Sequence, residues 1–251
     1  MKAREHQDAV ERAVGDSIAA APLQLLPYPH VYVREVFPRD FYGELQRHLP
    51  PSDLLMPIQQ ARGVRGYPQR FVLELTPERL AAVPEPYRRF WSALAGWMLG
   101  GAFAQRVLGK FRAFIDARFK GEQPEFGDEA LLVNDHTEYS LGPHTDTPSK
   151  VVSVLFYLPG DGRLEKHGTS LYVPRKPGFT CQGGPHYLFD GFERVATMPF
   201  LPNTMFAFVK TDNSFHGVEP IADAGISRYL LLYDLRLKSR GFRLQPSPHA
   251  H

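Results

Sequence analysis

Apolar residues recur at helical spacing through much of the first half of the chain. Val10, Val14 and Ile18 lie on one face of a first predicted helix, which ends before residues 20–22. The run 39–49 follows Pro38 and predicts a second, short helix. Two longer apolar stripes predict two amphipathic helices further along the chain. Their members are Phe90, Leu94, Trp97 and Met98 for the first stripe, and Val107, Phe111, Phe114 and Ile115 for the second.

Strand-like patterns are few before residue 126 and dominate after it. In the first half, 30–37 and 70–75 have the composition of strands, whereas 50–69 are rich in Pro, Gly and Arg and predict a loop. The apolar runs of the second half are ALLVND, KVVSVLFYLP, TSLYVP, RVATMPF, TMFAFVKT, FHGVEPI and RYLLLYDLRL. Because no helical stripes separate them, these runs favour an antiparallel sandwich or barrel. The pattern predicts an α+β fold with a mainly β core.

The same patterns divide the chain into three parts of a single predicted domain. Residues 1–125 form a helical support region with a few strands, 126–240 form the β core, and 241–251 are a tail. The interval 159–194 stands apart because it is Gly-rich and weakly patterned, and a single predicted strand interrupts it. A long segment of this kind is either a lid or binding loop, or a surface insertion.

Composition and charge exclude several classes of protein. Of the 251 residues, 43% are hydrophobic and 22% charged, which supports a packed core and excludes wholesale disorder. The formal net charge of +2 comes from scattered residues, which argues against a nucleic-acid-binding protein. Cys181 is the single cysteine, so neither an internal disulfide nor a cysteine-rich zinc site is expected. With no apolar run near ~20 residues and a charged, helix-like start, we expect a cytoplasmic protein without a membrane segment.

The segment SLGPHTDTPSK at 140–150 contains the most informative chemistry. His144 and Asp146 are two residues apart, and side chains two apart on a strand project to the same face. One imidazole and one carboxylate can then supply two neighbouring ligands to a divalent metal. A second histidine would complete a facial triad, which leaves positions open on one side of an Fe(II) ion.

Two other pairs have the same spacing. His6 and Asp8 lie on the first predicted helix, where residues two apart point about 200° away from each other and cannot share a metal. His136 and Glu138 lie on a predicted strand and remain an alternative to the first pair. A polar strand face accounts for them without any metal.

Three histidines are candidates for the remaining ligand: His167, His186 and His216. His216 follows an apolar strand, and its neighbour Gly217 permits close backbone approach. Twelve residues later, Arg228 begins the apolar run RYLLLYDL. A guanidinium among buried apolar residues needs an anionic partner, which is either an internal carboxylate or a bound dicarboxylate.

In combination, these residues resemble the iron(II)- and 2-oxoglutarate-dependent oxygenase superfamily. The resemblance rests on His144-x-Asp146, on His216 seventy residues after Asp146, and on Arg228. The surrounding segments GTSLYVP and PNTMFAFVKTDNSFHGVEPI also support it. It covers residues 130–237 and is most similar to prolyl-hydroxylase-type and related bacterial oxygenases. It implies a double-stranded β-helix, a jelly-roll of two sheets with helices packed outside.

The resemblance also implies roles for individual residues. His144, Asp146 and His216 (the triad) would bind Fe(II), and Arg228 would pair with the distal carboxylate of 2-oxoglutarate. Tyr139, and more weakly Asn134, would contact this co-substrate; an ordinary strand aromatic accounts equally well for Tyr139. Asp146 argues against the halogenating branch, in which a small residue replaces that carboxylate. Asp234 stands where alkylation-repair demethylases have a second arginine, which also argues against nucleic acid as a partner.

The implied activity is that of a dioxygenase with 2-oxoglutarate and O2 as co-substrates and ascorbate as a stimulant. It would hydroxylate an unactivated C–H bond of a small molecule or of a side chain on a larger one. The same chemistry can instead serve desaturation, cyclisation or demethylation, and a jelly-roll can also be a non-catalytic binding protein. The sequence identifies neither the substrate nor the oligomeric state.

Overall fold

The computed structural model describes residues 2–122 and 124–238. Helices occupy much of the first half, as the apolar stripes predict. They are α1 (Lys2–Ala20), α2 (Arg39–Arg47), α3 (Ile58–Arg62), α4 (Pro77–Ala81), α5 (Tyr87–Met98), α6 (Ala102–Lys110) and α7 (Arg112–Phe119), with short 3₁₀ turns at Ser52–Leu54, Gly162–His167 and Phe189–Gly191. Val10, Val14 and Ile18 are all buried, which confirms the face predicted for α1.

The strands form two antiparallel sheets. They are β1 (His30–Arg34), β2 (Met56–Pro57), β3 (Arg70–Glu74), β4 (Phe126–His136), β5 (Leu141–His144), β6 (Lys150–Tyr157), β7 (Thr169–Pro174), β8 (Phe192–Met198), β9 (Thr204–Val209), β10 (His216–Val218) and β11 (Ser227–Leu237). The larger sheet has seven strands in the order β1-β9-β6-β11-β4-β3-β2, and the smaller has four in the order β5-β10-β7-β8. This architecture confirms the predicted fold class, an α+β fold with a mainly β core.

Alternation along the strands of the larger sheet separates its two faces. On β4, Leu131 and Val133 pack against the smaller sheet, whereas Ala130 and Leu132 pack against the helices. The core between the sheets consists of Tyr28, Val72, Leu131, Val133, Tyr157, Leu171, Phe200, Phe206, Phe208 and Leu230. Residues two apart share a face, so several polar residues also point inward: Arg70, Asp135, Ser153, Arg228 and Asp234.

The outer face of the larger sheet is covered by helices. Val14 of α1, Leu94 of α5 and Phe103 of α6 belong to one buried cluster with Val154 of β6 and Leu231 of β11. Each such side chain contributes about 1.5–3 kcal/mol when it is fully removed from water. The helices of the first half therefore form a support that fixes the larger sheet, while its inner face remains available for polar chemistry.

The structure differs from the sequence predictions in the short elements. The second apolar stripe is divided between α6 and α7, because the chain leaves helical geometry at Phe111 (φ −108°, ψ 13°). The predicted loop at 50–69 contains β2 and α3, and α4 was not predicted. The predicted tail at 241–251 lies outside the described residues. Within residues 2–122 and 124–238, no helix combines the length and apolarity needed to cross a membrane.

Candidate metal and co-substrate site

The pairing of β5 with β10 brings two distant histidines together. His144 is the cross-strand partner of His216, and their ring centroids are 4.3 Å apart. Gly217 allows this approach, because a Cβ atom at that position would lie only 2.4 Å from the carbonyl oxygen of Leu141. The close approach suggested by Gly217 in the sequence is therefore a feature of the strand pairing.

Asp146 joins the two histidines from a loop rather than from a strand. The strand β5 ends at His144, so Asp146 does not share a strand face with His144 as the sequence predicted. The carboxylate nevertheless lies beside the imidazoles, and one potential ligand atom from each of the three residues falls within 4.8 Å of the others. Among the residues that the structure describes, this is the one group of three or more such side chains with that geometry.

The two imidazoles are oriented by backbone carbonyls. Nδ1 of His144 lies 3.0 Å from the carbonyl oxygen of Gly142, and Nδ1 of His216 lies 3.0 Å from that of Ser214. A carbonyl can only accept, so each Nδ1 has the proton and each Nε2 keeps a free lone pair. Burial, together with neighbouring imidazoles in the case of His144, lowers the pKa of both side chains. Both are therefore neutral at pH 7, which is the form that binds a metal.

Asp146 is held by a small buried network. Its Oδ1 lies 3.1 Å from Nζ of Lys150, and its Oδ2 lies 2.7 Å from Oγ of Ser153. Asp234 contacts the same two groups, at 2.9 Å in each case. Burial would raise the pKa of Asp146, but the charge of Lys150 and the imidazoles of His216 and His144 outweigh it, so the net shift is downward. The carboxylate is therefore ionised and fixed in orientation.

The other candidate histidines have different surroundings. His186 lies near the triad, with its ring centroid 4.4 Å from that of His144, and its Nδ1 contacts the hydroxyl of Tyr67. Burial lowers the pKa of His186 to about 4. His167 is 2.8 Å from Oδ2 of Asp223.

The alternative metal pairs stay apart from the triad. His136 is 3.2 Å from Oγ of Ser52, and its partner Glu138 lies beyond the end of β4 with a left-handed backbone (φ 72°). His6 and Asp8 are on α1, as predicted. Neither pair belongs to a group of three metal-binding side chains among the described residues.

Arg228 is completely buried on the inner face of β11. Its Nη1 donates to Oδ2 of Asp135 at 2.7 Å, and its Nε donates to the carbonyl oxygen of His167 at 2.7 Å. Its guanidinium carbon lies 4.4 Å from the ring centroid of Phe200. Its Nη2 is buried and has no hydrogen-bond partner among the residues that the structure describes. The internal ion pair that the sequence left open thus exists, but it does not satisfy the whole guanidinium.

Within the described part of the chain, other polar atoms near this core also lack partners. They are the hydroxyl of Tyr28, the hydroxyl of Tyr139 and Oγ1 of Thr169. An unpaired buried polar group costs about 1–3 kcal/mol, so each of these atoms would be stabilised by a polar partner. Burial raises the pKa of Tyr28 well above its usual value, and the carboxylate of Asp146 adds to the shift. Burial also raises the pKa of Tyr157, to about 12, although the charge of Arg228 opposes this shift. Tyr28, near Asp146, and Tyr157, near Arg228, both belong to the core between the sheets.

The two proposed co-substrate contacts have different positions. Tyr139 is buried beside Arg70, whose guanidinium carbon lies 4.4 Å from the Tyr139 ring centroid. Asn134 points from β4 toward the helices, opposite to the face that bears Asp135. Its amide donates to Oγ of Ser52 at 2.8 Å and accepts from Oγ of Ser227 at 3.0 Å. The structure does not bring Asn134 to the inner face.

The loop at 175–188, within the unusual interval 159–194, is attached to the triad segments. The backbone N–H of Tyr187 donates to the carbonyl oxygen of Pro143 at 2.9 Å, and Oγ1 of Thr145 donates to the carbonyl oxygen of Cys181 at 2.8 Å. Gly183 packs so closely that a Cβ atom there would lie 2.5 Å from the carbonyl oxygen of Asp146. This loop thus helps to fix the segment that bears Asp146.

Sequence reasoning missed Arg70, Asp135, Lys150 and Ser153. The sequence contained one indication of Asp135, which follows the apolar run ALLVN. Alternation along the strand places Asp135 on the same face as the buried Val133. The neighbours of Asp135 could not be found in this way, since the sequence does not specify that β4 lies between β3 and β11.

No family model matches the chain, and no curated protein matches it. Solved structures do resemble it. A chain from the crystal structure of prolyl 4-hydroxylases from Phytophthora capsici has 16% identity with this chain. The similarity covers 95% of this chain and 70% of that chain, with a TM-score of 0.51. HygX from Streptomyces hygroscopicus, solved with nickel and 2-oxoglutarate bound, has 14% identity over 83% and 82% of the two chains, with a TM-score of 0.50.

A Pseudomonas putida prolyl-4-hydroxylase has 16% identity over 92% of this chain and 100% of that chain, with a TM-score of 0.49. At such identities the similarity concerns the fold. The chain has the double-stranded β-helix fold of 2-oxoglutarate- and Fe(II)-dependent oxygenases, as the resemblance in the sequence implied.

Proposed function

We propose that the chain is an Fe(II)- and 2-oxoglutarate-dependent dioxygenase. The observation that carries this proposal is the convergence of His144, Asp146 and His216, with ligand atoms within 4.8 Å of one another, on a fold shared with such enzymes. The fold alone does not specify an activity, so the activity is inferred from these three side chains.

The chemistry of the triad suits Fe(II). Two neutral imidazole nitrogens and one carboxylate oxygen form the donor set that leaves open positions on one side of the metal. In this chain the carbonyls of Gly142 and Ser214 aim the imidazoles, and Ser153 and Lys150 fix the carboxylate. HygX binds nickel and 2-oxoglutarate on a similar fold, and we extend that pair of ligand types to this chain.

The inner face of the larger sheet suits a dicarboxylate such as 2-oxoglutarate. The unpartnered Nη2 of Arg228 and the unpartnered hydroxyl of Tyr139 can each donate to a carboxylate oxygen. Phe200 and Tyr157 provide an apolar and aromatic wall beside the guanidinium. We assign the distal carboxylate of 2-oxoglutarate to Arg228 and a supporting hydrogen bond to Tyr139.

The residues divide the work between binding, orientation and exclusion of water. Bound Fe(II) would supply the coupled reaction in which O2 and 2-oxoglutarate yield succinate and CO2 while a C–H bond of the substrate is oxidised. The triad holds the metal, Arg228 orients the co-substrate, and the apolar residues around Phe200 and Phe206 keep bulk water from the inner face.

For the outcome of that oxidation we propose hydroxylation of an unactivated C–H bond in a small molecule or a side chain. Desaturation, cyclisation or demethylation requires the same metal and co-substrate, so the products of turnover distinguish them. A gain of one oxygen in product mass indicates hydroxylation, and a loss of two hydrogens indicates desaturation or ring closure.

The test of the proposed function is succinate production. Protein supplied with Fe(II), 2-oxoglutarate, ascorbate and O2 should form succinate slowly without substrate and faster when a metabolite panel includes the substrate. The matched control is Asp146→Ala, which lacks the carboxylate ligand. If no succinate forms under any condition and the metal-loaded protein does not bind 2-oxoglutarate, the proposed enzyme is refuted. The chain would then be a non-catalytic jelly-roll binding protein.

A further inference from the structure

Three neighbouring strands place an ion cluster on the inner face of the larger sheet. Because β4 lies between β3 and β11, Asp135 is the cross-strand partner of both Arg70 and Arg228. The side chains of Asp135 and Arg228 are essentially unexposed, and that of Arg70 is 16% exposed. The cluster therefore combines residues from both halves of the chain.

The hydrogen bonds of Asp135 are shared unequally between the two arginines. Arg70 binds it through two atoms, with Nε 2.7 Å from Oδ1 and Nη2 2.9 Å from Oδ2. Arg228 binds it through Nη1 alone, 2.7 Å from Oδ2. The geometry leaves Nη2 of Arg228 without a partner, while Arg70 is committed to the carboxylate.

The charge of the cluster follows from this arrangement. Two guanidinium groups and one carboxylate give a net charge of +1 on a buried site. Arg228 and Asp135 without Arg70 would form a neutral pair, and a neutral pair attracts an anionic ligand weakly. Arg70 therefore compensates Asp135, and the positive charge of Arg228 remains available to a carboxylate.

We propose that Arg70 and Asp135 are positioning residues for the co-substrate, an inference that rests on the proposed function. Asp135 fixes the Arg228 guanidinium with Nη2 free, and Arg70 supplies the charge that keeps the cluster cationic. Arg70 acts through Asp135 and Arg228, so its removal lowers affinity for 2-oxoglutarate without altering metal binding.

The experiment measures 2-oxoglutarate binding to Mn(II)-loaded protein by isothermal titration calorimetry, with Mn(II) affinity measured separately. Arg70→Met should raise the Kd for 2-oxoglutarate about tenfold or more, since a unit charge is lost within the low-dielectric interior. The Kd for Mn(II) should stay within about twofold of the wild-type value, because Arg70 does not contact the triad. Arg62→Met is the matched control, since Arg62 pairs with Glu74 and Glu129 instead and should leave both constants unchanged.

A double variant distinguishes charge compensation from a structural effect. Arg70→Met with Asp135→Asn returns the cluster to a net charge of +1. The amide oxygen at position 135 can still accept from Nη1 of Arg228, so the Kd for 2-oxoglutarate should recover most of the loss. Arg70→Lys keeps the charge but loses the two-atom contact with Asp135, so the Kd for 2-oxoglutarate should rise less than in Arg70→Met. A double variant that binds no better than Arg70→Met, or an Arg70→Met variant with unchanged affinity, overturns the inference.

The outcome for wild-type protein separates the two proposals. If wild-type protein binds no 2-oxoglutarate, the proposed function fails before any variant is compared. If it binds 2-oxoglutarate and Arg70→Met binds it equally well, the proposed function stands and the role of Arg70 and Asp135 is refuted.

Discussion

Gly217 offers a way to separate the two histidines of the triad without changing any of its ligands. It lies beside His216 on β10, opposite β5, where a Cβ atom would be 2.4 Å from the carbonyl oxygen of Leu141 and 3.2 Å from the backbone of Gly142. Backbone atoms of a paired strand cannot rotate away as a flexible side chain can. Gly217→Ala should therefore move β10 relative to β5.

The size of this effect follows from the contact distances. An ordinary contact of a Cβ atom is 3.4 Å or longer, so the two strands must separate by about 1 Å. Overpacking of this kind costs about 1–3 kcal/mol of folding free energy. His144 and His216 are direct cross-strand partners, so their imidazoles should separate as well. We expect metal affinity to fall about 10–100-fold, as when groups that orient metal ligands are removed.

The assay compares Gly217→Ala with a glycine that has room for a side chain. Gly96 lies within α5, where its would-be Cβ atom meets nothing within 4 Å in the described residues apart from its chain neighbours and the backbone of its own helix. Gly96→Ala should therefore stabilise the helix by up to about 1 kcal/mol. Urea unfolding gives the stability of both variants, and titration with Co(II), followed by its visible absorption, gives their metal affinities. If Gly217→Ala binds Co(II) as tightly as Gly96→Ala, the strand pairing does not determine the site.

Further substitutions test individual roles. Alanine at His144, Asp146 or His216 should abolish or severely weaken metal binding while the circular dichroism spectrum stays native; normal succinate formation by any of them would refute the triad. Arg228→Ala should raise the KM for 2-oxoglutarate by at least about tenfold with little change in metal affinity, and an unchanged KM would move the anion site elsewhere. His136→Ala should retain metal in a Co(II) titration, because its imidazole contacts Ser52 instead; loss of metal would favour the alternative pair.

The β core was predictable because its strands have distinct boundaries and strong alternation. The runs around Val154, Phe206 and Leu231 became β6, β9 and β11 at nearly the predicted positions. The elements missed in the first half are short, and a helix of five residues such as α3 or α4 shows too little periodicity to be recognised. Such helices form through tertiary packing rather than through an intrinsic preference of the local sequence.

The site was predictable only in part, for a related reason. His144 and Asp146 are close in sequence, and the resemblance supplied His216 and Arg228, so these four side chains could be named in advance. Asp135 could not, because its proposed role depends on two cross-strand partners, and strand order is set by the packing of the whole sheet. The position of Asn134 was also not apparent, since nothing in the sequence indicates which face of β4 is covered by helices.

An anaerobic titration of Fe(II)-loaded protein with 2-oxoglutarate, followed by visible absorption, tests whether the triad and Arg228 form one site for metal and co-substrate. A 2-oxo acid that chelates Fe(II) gives a charge-transfer band, so wild-type protein should develop a band that saturates with added 2-oxoglutarate. Arg228→Ala should need a higher concentration of 2-oxoglutarate for the same band, and Asp146→Ala should show no band. If the wild-type protein binds Fe(II) but develops no band at any concentration of 2-oxoglutarate, the triad and Arg228 do not form a site for this co-substrate.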